Sequence, residues 1–375
     1  MTFPLITCPL RTDESFAEKH DEEHHLDGPN TFHDLSIVMV SQFPGDYMHS
    51  VCLGVVRKLL NIWLRGPLKF RLPASIVNQM SDCLTGLRDH IPVEFARKPR
   101  TLRELDRWNA TEFRMFLLYI GPVILPSYLD TNIYNNFMLL FSGIAILVSP
   151  TLSSLYCQYS ETLLQMFVTH FGQICGKDSL VFNVHSLVHL AQDVRLHGCL
   201  DNIAAFPYEN HLQMLKKLVR KPERPLAQII RRLSEKTTCQ TDQMSYSLKR
   251  PHFVGPVPDE LAFRGVRGQY SQMITDQWTI KVSTGDNVFV IADEICMIVN
   301  IVECHDGIYV VYRNFSDKST FFTYPFNSDF LNIYSVSQVS EQCMYAKVCT
   351  VKQKCVLVPH RRGFVTIPIL HSLKK

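Results

Sequence analysis

Two short strings in this sequence combine residue types that hold metals or move protons. Asp46-Tyr-Met-His-Ser-Val-Cys-Leu-Gly54 sets Asp46, His49 and Cys52 three residues apart, a spacing that on an α-helix keeps them along one edge. Downstream, Asn183-Val-His-Ser-Leu-Val-His189 sets His185 and His189 four apart on one helical face, and Glu209 follows. Magnesium and manganese prefer carboxylate oxygens, whereas imidazole and thiolate suit zinc. The carboxylates are therefore open to Mg²⁺ or Mn²⁺, and His49, Cys52, His185 and His189 to a zinc-stabilised scaffold, if these pieces converge in the fold. Each residue also has a plain structural account. Asp46 can cap a helix, the histidine pair can belong to an apolar core, Cys52 can be a small core residue, and Glu209 can favour the positive end of its helix.

The elements that must position these residues follow from periodicity and punctuation. Leu35-Ser-Ile-Val-Met-Val40 is a β-favouring run stopped by Phe43-Pro44-Gly45, and Val51 to Leu64 has helix-spaced apolar residues, which sets Asp46 at a strand-to-helix junction. From there to about Gly198 the pattern is helical, clearest in Thr111 to Tyr119, Tyr134 to Val148 and Glu161 to Ile174. Leu200 to Ala205 reads as a short strand. Phe206-Pro-Tyr-Glu-Asn210 opens a helix running to Lys217 or Arg220, with Glu209 in its first turn. Met1 to Gly28 is charged and aperiodic, an exposed lead-in. Arg231 to His252 reads as a polar linker. Beyond it, Trp278 to Val282, Asn287 to Ile291, Cys296 to Glu303, Gly307 to Arg313, Thr320 to Tyr324 and Ala346 to Val351 are short β-branched and aromatic runs, the signature of a small barrel or sandwich.

Composition narrows the class. At 375 residues, 46% hydrophobic and 19% charged, the chain can bury a large core without disulfides or metals. Its 12 cysteines include no C-x-x-C pair and Met1 is not followed by a charged-then-apolar leader, which suits a reduced, intracellular protein. The longest apolar run, Phe137 to Val148, falls short of the roughly twenty residues of a bilayer span and reads as a buried helix, with no membrane partner. The net charge of +3 implies no polyanionic partner by itself. Local clusters do more: Lys216, Lys217, Arg220, Lys221, Arg224, Arg231, Arg232 and Lys236 begin on the helix of Glu209, and Arg97, Lys98, Arg100, Arg103 and Arg107 form a second group. Such charges suit a phosphate backbone, or simply a solvated helix face. Tyr309, Tyr312, Phe315, Phe321, Phe322 and Tyr324 are either a base-stacking platform or core.

Taken together, several ordered strings resemble the transposases of CACTA-type (En/Spm-like) DNA transposons and their domesticated relatives. They are Cys8-Pro-Leu-Arg-Thr-Asp-Glu-Ser-Phe16, Asp46-Tyr-Met-His49 with Cys52-Leu-Gly54, Glu94-Phe-Ala-Arg-Lys-Pro-Arg100 with Trp108 to Leu118, Asn183-Val-His185 with His189, and Phe206-Pro-Tyr-Glu-Asn210 with Lys216, Lys217 and Arg220. The likeness covers about residues 3 to 235. It implies an α+β chain: a truncated RNase H-like core interrupted by a large all-α insertion, then a small β-barrel-like C-terminal domain. The expected divisions are an irregular lead-in over 1–34, core over 35–71, helical insertion over 72–198, the end of the core with its basic helix over 199–235, and linker plus β-rich domain over 236–375.

In that family an Asp-Asp-Glu triad holds two Mg²⁺ (or Mn²⁺) ions that cut and join DNA strands. The resemblance makes Asp46 the second acid, or a residue supporting it, and Glu209 the third, both as metal ligands. His49, His185 and His189 become supporting groups, and Lys216, Lys217, Arg220, Lys221 and Arg224 the nucleic-acid contacts. The strand carrying the first acid is missing, since Asp13, Asp21 and Asp27 sit in no apolar run. The expectation is thus a transposase-derived protein without complete catalysis, DNA as partner, nuclear residence, and self-association left open. The alternative is a nucleic-acid-binding or protein-interaction module with no catalysis.

Overall fold

The computed structural model describes residues 1–371 apart from 6–8, 26–27, 29–31, 33–34 and 237–245. Cys8, Asp27 and the Thr237–Gln243 part of the expected linker lie outside the described residues. The class is α+β: a helical N-terminal half and an antiparallel C-terminal sheet. The chain forms two compact units, Met1–Met80 with Glu104–Ala204, and Ser81–Arg103 with Ala205–Lys375.

The first unit is helical because its apolar residues recur at three and four. The helix Thr131–Val148 buries every residue from Asn136 to Val148, and Asp130 caps its start by accepting from the Asn132 N–H at 2.9 Å. This is the run read as a buried helix; among the described residues it is the one helix long and apolar enough to cross a membrane, and 72% of it is buried inside the protein. It packs on the helix Pro150–Cys175, with the Ser160 hydroxyl donating to the Gly143 carbonyl at 2.9 Å and the Asn136 amide donating to the Phe167 carbonyl at 3.0 Å. Those two polar groups are buried, so their bonds satisfy what would otherwise cost about 1–3 kcal/mol each.

Two expected strands are absent here. Leu35–Val40 is a succession of turns, and Leu200–Ile203 is a single helical turn. A β-favouring run forms a strand only where a neighbouring strand takes up its N–H and C=O groups, and neither segment has one. Instead Asp13 accepts from the backbone N–H groups of Val40 and Ser41 at 2.8 and 3.0 Å.

In the second unit ten strands form one antiparallel sheet. They are β1 (Ser247–His252), β2 (Val266–Ile274), β3 (Thr279–Lys281), β4 (Val288–Ile291), β5 (Glu294–Cys304), β6 (Gly307–Thr320), β7 (Tyr334–Val339), β8 (Met344–Lys347), β9 (Val351–His360) and β10 (Gly363–Pro368). Pairing runs β5–β4–β9–β10–β7–β6, and β6 pairs back to β5, so six strands pair in a cycle. Phe289, Ile291, Cys296, Ile298, Ile301 and Val310 lead one cluster of its core. The expected strands at 278–313 correspond to β3 through β6, with β6 running on to Thr320, and Phe321–Tyr324 is not a strand. The linker expected from Arg231 to His252 is shorter at both ends, because a helix, Pro225–Lys236, precedes it and β1 begins at Ser247.

The segment Ser81–Arg103 packs in this second unit. Gly285, at φ +87°, shows how closely the segment is laid down: a Cβ there would stand 2.4 Å from the Asp89 carbonyl oxygen.

Candidate functional site

Asp46 sits at the mouth of a helix whose first part, Met48–Val56, is wound in wide π-type turns before the α-helix Arg57–Arg65. Its carboxylate accepts from the N–H of Met48 at 3.0 Å and of His49 at 3.2 Å, and its Oδ2 also pairs with the His49 Nδ1. The cap and the imidazole thus occupy both oxygens. The wide winding also undoes the expected common edge, because π-type turns bring i+5 rather than i+3 or i+4 into line. His49 is exposed while Cys52 is fully buried. Burial pushes the Cys52 thiol up to about 12, as suits a sulfur packed in the core. Around it stand Tyr47, also fully buried, and the ion pair Arg114–Asp201 at 3.9 Å.

The two sequence strings do meet. A Cβ on Gly54 would lie 2.7 Å from the Asn183 side-chain nitrogen, so the absence of a side chain at Gly54 is what admits Asn183. Just beyond Asn183, His185 and His189 face each other with their Nε2 atoms 3.4 Å apart. Burial holds both imidazoles below the ordinary histidine range, and for His185 the neighbouring imidazole adds to the effect.

The column continues at the same spacing of four through Asp193 and His197, which sequence reasoning passed over although the repeat is visible. Asp193 accepts from the Gly45 N–H at 2.9 Å, and His197 Nε2 lies 2.8 Å from the Ser41 carbonyl oxygen. Burial lifts the Asp193 carboxyl above its usual range against the opposing pull of the Gly45 N–H and of His197 and His189. These contacts pin the 41–45 loop that leads into Asp46.

Glu209 belongs to the second unit and is exposed in the first turn of the helix Phe206–Leu218, as expected. The basic residues beside it, Lys216, Lys217, Arg220, Lys221 and Arg224, are all exposed, and Arg231 in the helix Pro225–Lys236 is exposed and paired with Glu235 at 3.2 Å. Among the described residues no three His, Cys, Asp or Glu side chains are gathered as a metal ion would require.

The β unit contains its own buried charges. Lys354 on β9 is fully buried, and its ammonium donates to Glu94 Oε2 at 2.7 Å, Asp286 Oδ1 at 2.7 Å and the Thr279 carbonyl at 2.6 Å. Glu94 Oε1 accepts the Thr279 N–H at 2.7 Å, and Asp286 accepts the Val93 N–H at 2.9 Å and the Lys281 ammonium at 3.0 Å. Every ammonium proton is matched, as burial demands. Glu94, one of the residues carrying the resemblance, is thus a structural partner of β9. Tyr309, Tyr312, Phe315 and Phe322 are buried as well, which removes them from any stacking platform.

Residues 251–369 match a domain of unknown function, DUF8592. No curated protein and no solved structure matches the chain. The DUF8592 match spans the sheet from the end of β1 to just past β10 and contains Lys354, Asp286, Lys281 and Thr279, but not Glu94.

Proposed function

We propose that this chain is a transposon-derived, DNA-binding protein related to CACTA-type transposases, one that does not cut DNA by itself. The observation that carries the reading is the basic run in and between the helices Phe206–Leu218 and Pro225–Lys236, where Lys216, Lys217, Arg220, Lys221, Arg224 and Arg231 stand in solvent after Glu209. The family strings support the ancestry, and two of them, around Gly54 and Asn183, pack on one another. Asp46 caps its own helix, accepting from the N–H groups of Met48 and His49, a structural task that needs no metal. On this reading the helical half descends from the RNase H-like core and its insertion, a descent that rests on the resemblance, and the six-strand cycle is a small β-barrel. A DNA partner implies nuclear residence.

The test is binding to duplex DNA across a salt series. We expect affinity to fall with salt by about 0.9 log units per log unit for each phosphate neutralised. Replacing Lys216, Lys217, Arg220, Lys221 and Arg224 together with glutamine flattens that slope. An unchanged slope in this variant refutes the basic-helix reading. Mg²⁺-dependent cleavage by the wild type, lost in Asp46→Asn or Glu209→Gln, refutes the absence of catalysis.

A second reading, a protein-interaction module, is favoured by apolar residues on the same helices: Tyr208, Leu212, Leu226 and Ile230 are 69, 56, 68 and 60% exposed. Self-association that persists at high salt and is lost on substituting Leu226 and Ile230 with serine selects it.

A further inference from the structure

We propose that Ser234 is a phosphorylation site for a serine kinase whose substrate groove is lined with carboxylates, and that the phosphate weakens the hold of the basic run on DNA. The second half rests on the DNA-binding reading; the first stands without it. The basis is a spacing. Arginine stands three residues before a serine or threonine twice in this sequence, at Arg231 before Ser234 and at Arg313 before Ser316, and only the first adds an arginine two residues before, Arg232. Two guanidiniums at those offsets reach separate acidic pockets of a groove that holds its substrate extended, and their planar forks pair with carboxylates through two bonds each. Such a charge pattern beside the hydroxyl is how a kinase of this kind selects one serine among many.

The fold presents one of these serines and withholds the other. Ser234 is exposed in the last turn of the helix Pro225–Lys236. Its hydroxyl donates to the Arg231 carbonyl at 2.7 Å, the ordinary back-bond of a helical serine, and the Arg231 side chain is 83% exposed, with the Glu235 carboxylate at 3.2 Å. Helix ends fray, so this turn opens readily into the extended form that a groove binds. Ser316 lies inside β6 between Phe315 and Asp317, which stand in register with Val339 and Ser337 of β7, and Arg313 Nε donates to the Cys343 sulfur at 3.4 Å. Reaching it means unzipping the sheet. In the transfer the Ser234 oxygen bonds to the γ-phosphorus of ATP, the bond from that phosphorus to the bridging oxygen breaks, ADP leaves, and the hydroxyl proton passes to the kinase's aspartate. The product carries about −1.5 to −2 charges at neutral pH. It stands at the negative end of the helix dipole next to Glu235, which loosens the last turn. It also cancels about two of the positive charges that Lys216, Lys217, Arg220, Lys221, Arg224 and Arg231 offer to a phosphate backbone.

The experiment incubates the full folded chain with the catalytic subunit of a cyclic-nucleotide-dependent serine kinase and Mg²⁺-ATP, and locates the phosphate by mass spectrometry. We expect phosphate on Ser234 and none on Ser316. Arg231→Lys and Arg232→Lys keep the charge but lose the fork, and each should lower kcat/KM by about tenfold, chiefly through KM. In the phosphorylated chain, hydrogen exchange should quicken across residues 231–236, and the fall of log affinity for duplex DNA with log salt should be shallower by about 1–2. Absence of phosphate on Ser234, incorporation undiminished in Ser234→Ala, or kcat/KM unchanged in both lysine variants would overturn the site. A phosphorylated chain with an unaltered salt slope would overturn the effect on DNA. A chain that binds no DNA before phosphorylation refutes the DNA-binding reading instead, and phosphate incorporation then still decides the site.

Discussion

Lys354→Met removes a buried charge and keeps the length of the side chain, which makes its cost calculable from the contacts. The methionine fills the channel of the lysine stem, so little of the loss is cavity. What remains is a pair of carboxylates, Glu94 and Asp286, whose side chains are only 9 and 6% exposed, facing a vanished ammonium. Removing one partner of a buried ion pair costs about 3–5 kcal/mol. Asp286 retains the Lys281 ammonium and the Val93 N–H, and Glu94 retains the Thr279 N–H, so we place the loss near 3 kcal/mol, the lower end of that range. For a unit of roughly two hundred residues this lowers the melting temperature by about 6–12 °C.

The pH dependence gives the reasoning a second check. Burial alone would raise the Asp286 carboxyl, but the Lys354 ammonium and the hydrogen bonds it receives hold it below the usual range. A depressed carboxyl stabilises the fold above its unfolded value, near pH 3.9, and loses that contribution as pH falls through the lower folded value. In Lys354→Met the main opposing charge is gone and burial prevails, so the penalty is present at neutral pH and is relieved as acid protonates the orphaned groups. The gap between wild type and variant should therefore narrow from pH 7 to pH 5. Calorimetry, with hydrogen exchange of β9 to assign the transition, measures both quantities. A variant melting within about 1 °C of wild type, or a gap that widens in acid, refutes the account.

Three further outcomes follow from the same geometry. Asp46→Ala removes the cap of the Met48–Val56 segment and should cost the first unit about 1 kcal/mol by denaturant titration; no loss would mean the capping bonds are idle. Gly54→Ala forces its Cβ onto Asn183 and should destabilise by about 1–3 kcal/mol, with Asn183→Ala restoring most of it; absence of rescue would place the strain elsewhere. Under native conditions a thiol reagent should label exposed Cys349 well before Cys52, Cys296 or Cys355, whose thiols burial pushes up to about 12. Fast reaction at any of those three would show that the core opens.

What the sequence made legible was whatever a local pattern encodes. The helices around Thr111–Tyr119, Tyr134–Val148 and Glu161–Ile174, the first-turn place of Glu209 and the β-rich tail all follow from apolar spacing, and all are present. What it hid depends on partners distant in the chain. Leu35–Val40 has strand composition but nothing to pair with, and composition cannot report that. Strand β9 escaped notice because Lys352 and Lys354 break its apolar run; Lys354 reads as a solvent residue until Glu94, 260 positions away, is seen to neutralise it. The common edge of Asp46, His49 and Cys52 failed for a local reason, since periodicity assumed an α-helix where the backbone widens.

The ring of charges around Lys354 also decides how portable the β unit is. Residues 251–369 form a recognisable unit of sequence, yet cutting there discards Glu94 together with the 88–93 backbone that covers Gly285 and donates to Asp286. A fragment so cut would strand an ammonium in an apolar interior, facing one carboxylate where it had two. The structural block is therefore discontinuous: a short lace from earlier in the chain completes the sheet's buried charges, and a transplant of this region should carry both pieces or replace Lys354 with an apolar residue.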